Sequence, residues 1–171
     1  MKKTLILALA FVGLGLNSCT NYEPASYGPV EFESFFEGPL YAGSVVDAII
    51  ELDFAPQDYG INADEVHSMV MKEIVLNTDY ENGFGDFDNI SFIISADGVE
   101  AANVATIKIK DNSNTLTIPG LSEAEIKKFK GVKKYYLQIT AVTKADLEDT
   151  YEDVPFTGSF TMNIMVPEKK K

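Results

Sequence analysis

Tryptophan is absent from the 171 residues, cysteine and histidine occur once each, and all 14 basic residues are lysines. A lone cysteine, Cys19, leaves no partner for an intrachain disulfide, so stability has to come from an apolar core. One histidine, His67, and one cysteine cannot build a zinc site of the usual kind, which takes several such ligands. A Ser-His-Asp or Cys-His arrangement would have to use His67, which stands among Glu65, Val66 and Ser68 with no nucleophile motif beside it. No glycine-rich phosphate loop of the GxxxxGK[ST] type occurs. Long apolar runs are missing too: the longest, Thr4 to Leu16, falls short of the roughly 18 residues that a membrane-crossing helix needs.

What is present begins with an address. Lys2 and Lys3 precede the apolar stretch Thr4 to Leu16, the layout of an export signal. Leu16-Asn17-Ser18-Cys19 follows at once. This segment resembles the bacterial lipobox, in which an apolar, a variable and a small residue precede an obligatory cysteine. The resemblance covers residues 1–19 and implies cleavage after Ser18, with acyl chains attached at Cys19. At about 0.8 kcal/mol per buried CH₂, two or three such chains hold a protein to a membrane almost permanently. Residues 1–18 thus read as a signal peptide. Residues 19–29 (CTNYEPASYGP) are polar, hold two prolines and lack a period, and read as the lipidated cysteine followed by a flexible tether.

Cleavage would remove two lysines and no acid, leaving 12 lysines against 26 acidic residues, a net charge of −14. Such a surface repels nucleic acid and favours solubility or a basic partner. The roughly 150 remaining residues suffice for one domain with a substantial core.

From Val30 the dominant pattern is alternation, the mark of half-buried strands. Val46, Ala48, Ile50, Leu52 and Phe54 share one face; Ile90, Phe92 and Ile94 form another row. Ile107 and Ile109 follow, then Leu116 to Ile118. Tyr135, Leu137, Ile139 and Ala141 alternate with polar residues, as do Phe156, Phe160, Met162, Ile164 and Val166. Between Asn62 and Leu76 a helical stripe competes with alternation, and β-branched content favours a strand over about Ser68 to Asn77. Ser122-Glu123-Ala124-Glu125 is a capping box that predicts one or two helical turns up to Phe129. With Val30 to Phe36 this gives seven or eight strands. The expected fold is all-β, an immunoglobulin-like β-sandwich with a short helical crossover over residues 30–167, preceded by the signal helix and tether and followed by a basic tail, 168–171. The pattern is similar to small immunoglobulin-like lipoproteins of Bacteroidota, a resemblance that carries no catalytic residues. The Cys-Trp-Cys hallmark of antibody domains is absent.

Two acidic runs stand out. Asp79 to Asn89 (DYENGFGDFDN) combines Asp79, Glu81, Asp86 and Asp88 with Phe84 and Phe87; the other comprises Asp146, Glu148, Asp149, Glu152 and Asp153. Calcium takes six to eight oxygen ligands, which such loops can supply, but the EF-hand spacing fails, and a solvated turn is the preferred reading. No cofactor is expected. Phe84 and Phe87 either anchor a ligand or plug one end of the sandwich, with packing preferred. These observations lead to a noncatalytic envelope lipoprotein that docks to another envelope protein, with Asp79, Glu81, Phe84, Asp86, Phe87 and Asp88 as the candidate loop. A glycan- or cation-binding module is the alternative, and an enzyme has no specific support. In many Bacteroidota lipoproteins an acidic cluster after the cysteine marks surface export; only Glu23 is acidic there, so the periplasmic face of the outer membrane is expected before the cell surface.

Overall fold

The computed structural model describes residues 21–122, 127–129, 131–147 and 152–168. Cys19, most of the Ser122 capping box, and Glu148, Asp149 and Tyr151 of the second acidic run lie outside these residues.

Eight strands follow one another: β1 (Tyr22–Phe36), β2 (Val45–Asp53), β3 (Ser68–Asn77), β4 (Phe87–Ala96), β5 (Val99–Lys108), β6 (Thr115–Pro119), β7 (Lys134–Thr143) and β8 (Val154–Pro167). They form two four-stranded sheets, in the orders β1-β8-β3-β6 and β2-β7-β4-β5. All pairs are antiparallel. First strand pairs with last, second with seventh, third with sixth and fourth with fifth, as if one long hairpin had been rolled into two layers. That is the jelly-roll order of a double Greek key. The expected sandwich of eight strands is therefore present, with β1 beside β8 where the immunoglobulin order would place it beside β2.

Period-two patterning explains the layering. Along β8, Phe156, Phe160, Met162 and Ile164 are buried while Thr157, Ser159, Thr161 and Asn163 face out. Along β7, Tyr135, Leu137, Ile139 and Ala141 fill the space against them. Gly158 takes an inward position because Phe32 lies across it: a Cβ there would stand 2.3 Å from the Phe32 ring. Space left between the sheets, among Leu52, Met71, Ile94 and Phe160, amounts to about 10 Å³. That scarcely admits one water.

The N-terminal boundary requires a correction. Tyr22 to Pro29, expected as tether, form the first half of β1 and pair with β8 from Tyr22↔Pro167 to Tyr27↔Met162. β1 is an edge strand, where proline's missing N–H costs no ladder bond. Tyr27 anchors the segment. Its ring is buried against Phe54 and Tyr59, at centroid distances of 5.0 and 4.8 Å, and its hydroxyl donates to Asp53 O and accepts from Ala55 N, both at 3.2 Å. Gly28 follows at φ 106° in the bulge that restores register, and a Cβ there would meet Phe160 O at 2.7 Å.

The ambiguous segment resolves as both patterns in succession. Asn62 caps a 3-10 helix, Ala63–Glu65, its side chain accepting from Asp64 N, and β3 then runs over Ser68–Asn77. Near the capping box the described residues contain one 3-10 helix, Lys127–Phe129, with Phe129 fully buried.

Candidate functional site

Of the six loop residues singled out from sequence, Asp79 lines a cavity. Phe84 and Phe87 have no exposed surface, so the reading in which they anchor a ligand is corrected to core packing. Phe87 opens β4 and meets Phe36 at 5.2 Å between ring centroids, and Phe36 in turn meets Phe156 at 4.9 Å. The turn is held by the connection between β5 and β6 and by its own backbone: Phe84 N donates to Ser113 O, and Phe87 N to Phe84 O. Asp86 accepts from Asn82 Nδ2 at 3.0 Å. Asp88 accepts from Asn89 Nδ2 and lies 3.9 Å from Lys108 Nζ. Glu81 is exposed.

The two acidic runs do approach each other, but what joins them is a lysine. Lys144 N donates to Asp86 O at 2.7 Å and its Nζ to Gly85 O at 2.8 Å. Asp146 and Asp153 turn elsewhere, accepting from Ala42 N and Gly38 N and so holding the 37–44 loop. Among the described residues no three His, Cys, Asp or Glu side chains gather as metal ligands.

The cavity itself is an open groove of about 580 Å³ on the outer face of the first sheet, lined by Glu33, Phe35, Asn77, Asp79, Pro155 and Thr157, among others. Its size falls within the range of small-ligand sites. Strand register builds it. Glu33 pairs with Thr157, Thr157 with Asn77, and Asn77 with Thr115, so four exposed polar residues cross the sheet in one row. In the next row Phe35 pairs with Pro155. Phe35 is 49% exposed because its neighbour Phe36 takes the inward position, which leaves Phe35 on the side of Glu31 and Glu33. Beneath, buried Thr78 donates to Pro155 O at 2.7 Å and accepts from Tyr80 N, fixing Asp79 at the groove margin. Asn77 Oδ1 accepts from Thr115 Oγ1 at 2.8 Å. Among the described residues the carboxylates of Glu33 and Asp79 pair with no lysine.

This combination can stack an apolar or ring surface on Phe35 and satisfy polar groups on Glu33, Asn77, Asp79 and Thr157. It holds neither imidazole nor thiol. His67 lies at the other end of the sheet, its backbone N–H bonded to Met165 O and its ring stacked on Tyr22 at 4.0 Å. Sequence reading named Asp79 but missed Phe35, Glu33, Asn77 and Thr157.

No family model matches this chain. No curated protein matches it either. Among solved structures, the infectious bursal disease virus VP2 subviral particle is similar at 12% identity over 84% of this chain, with a TM-score of 0.38. The chain spans about one third of that protein's length, 33%. The structure of the infectious bursal disease virus Gt strain gives 12% identity, 96% and 37% coverage of this chain and that one, and a TM-score of 0.36. Desmodium yellow mottle tymovirus gives 11% identity, 99% and 98% coverage, and a TM-score of 0.32. Likeness at this level bears on neither activity nor partner.

Proposed function

We propose that this chain is the precursor of a lipid-anchored, noncatalytic binding module of a bacterial outer membrane, whose Phe35 groove receives a segment of another envelope protein. The half-exposed Phe35, set among polar side chains in an open groove outside a filled core, is the observation that carries this reading. Aromatic side chains in such settings are frequent energetic anchors of interfaces. Leu16-Asn17-Ser18-Cys19 supports the anchor, and the excess of acids over lysines favours a partner segment bearing basic groups opposite Glu33 and Asp79. The periplasmic face remains the preferred side of the membrane.

A glycan is the second reading, favoured by the row Glu33, Thr157, Asn77 and Thr115 beside Phe35, since hydroxyl, amide and carboxylate groups next to an aromatic face suit a sugar ring. Affinity purification of the full chain from its native envelope separates the two. A stoichiometric protein partner, lost on Phe35→Ala while the melting temperature holds, supports the first. Binding to defined glycans with the same dependence on Phe35 moves the assignment to the second. Turnover of a defined substrate that survives Phe35→Ala overturns both.

A further inference from the structure

We infer that the domain stands on the bilayer by one fixed end, with Tyr22, His67 and Pro167 against the lipid headgroups and the Phe35 groove pointing away. This rests on lipidation of Cys19, and the first supporting observation is how little chain separates that residue from the fold. β1 begins at Tyr22, and Asn21 O already accepts from Glu168 N at 2.9 Å. From Cys19 to Tyr22 there are three residue steps, which span at most about 11 Å when fully extended. A domain tied that closely keeps its Tyr22 end at the membrane.

The chemistry of the near end agrees. Tyr22 is 39% exposed and lies flat on His67, an aromatic pair with polar atoms of the kind that suits the headgroup layer. At the opposite end, Phe35 is thirteen residues further along β1, roughly 40 Å at the usual strand rise. The 37–44 loop and the 79–86 turn share that far end. A partner could reach the groove without contacting lipid.

The absence of tryptophan makes the test clean, because a single introduced indole reports alone under selective excitation. Full-length chain carrying Tyr22→Trp or Phe35→Trp is produced in a lipidating bacterial host, reconstituted into vesicles, and titrated with phospholipid bearing a nitroxide on its headgroup. Quenching at position 22 several-fold stronger than at position 35 is expected, and a flexible insertion of about twenty Gly and Ser residues after Thr20, which restores free tumbling, should abolish the difference. Equal quenching at the two positions in the chain without the insertion, or stronger quenching at 35, overturns the orientation. Failure of that chain to float with vesicles, together with no incorporation of labelled fatty acid, instead overturns lipidation of Cys19 and this inference with it.

Discussion

Replacing Tyr27 measures whether residues 22–29 belong to the folded domain. The side chain is 1% exposed. An aromatic buries about 150–250 Å², worth about 4–6 kcal/mol at 25 cal/mol per Å². Alanine's own burial and the compactness of unfolded chains reduce that, so Tyr27→Ala should cost about 3–5 kcal/mol. For a domain of this size the melting temperature should fall by about 6–20 °C. Tyr27→Phe keeps the ring contacts with Phe54, Tyr59 and Phe160 but strips the hydroxyl from Asp53 O and Ala55 N. Leaving those backbone groups unpaired should cost about 1–3 kcal/mol. Urea unfolding followed by circular dichroism gives both numbers. A tether residue would change stability by no more than about 0.5 kcal/mol. Two values inside that limit would refute the placement of β1 and remove the basis for a short link to the membrane.

Phe87→Ala should lower stability by about 3–5 kcal/mol, whereas Phe35→Ala should change it by less than about 1 kcal/mol, as thermal melts of the two variants will show. Burial raises the pKa of Tyr135 well above its ordinary value and that of Tyr27 less strongly. Both phenols therefore support the fold fully below about pH 10, the unfolded value, and that support is lost as pH rises through the folded values. Urea midpoints should fall above pH 10, and less steeply in Tyr135→Phe. Millimolar calcium should leave the melting temperature within 1 °C or so, since a ligand bound at 100 times its Kd would add about 2.7 kcal/mol. A rise of several degrees would restore the acidic runs as a cation site.

Alternation made the strands legible because each buried face reports itself every second residue. β3 falls on Ser68–Asn77 as expected, and the inward rows of β4, β7 and β8 are those read from the sequence. Strand order was not legible. The same inward face fits any neighbour, and the pairing of β1 with β8 joins the two ends of the domain. The first half of β1 was obscured by Pro24, Pro29 and polar composition, which an edge strand tolerates. Phe84 belongs to a turn, and Phe87 stands at the first position of β4 before a register shift ahead of Asn89, so periodicity gives neither a direction. Phe35 was readable: with Phe32 and Phe36 facing in, period two places it outward beside Glu33. That inference required treating the Phe35-Phe36 doublet as two faces rather than one apolar run.

The proposed binding surface is the Phe35 groove, and not another exposed face of the domain. Ile49 supplies the contrast, because it is 67% exposed on the outer face of the second sheet, in edge strand β2. A photo-crosslinking amino acid is placed at position 35 or at position 49 in the full chain, irradiated in the native envelope, and the adducts are resolved by mass. A discrete adduct with one envelope protein is expected from position 35 and none from position 49. An adduct from position 49, with none from position 35, would contradict it.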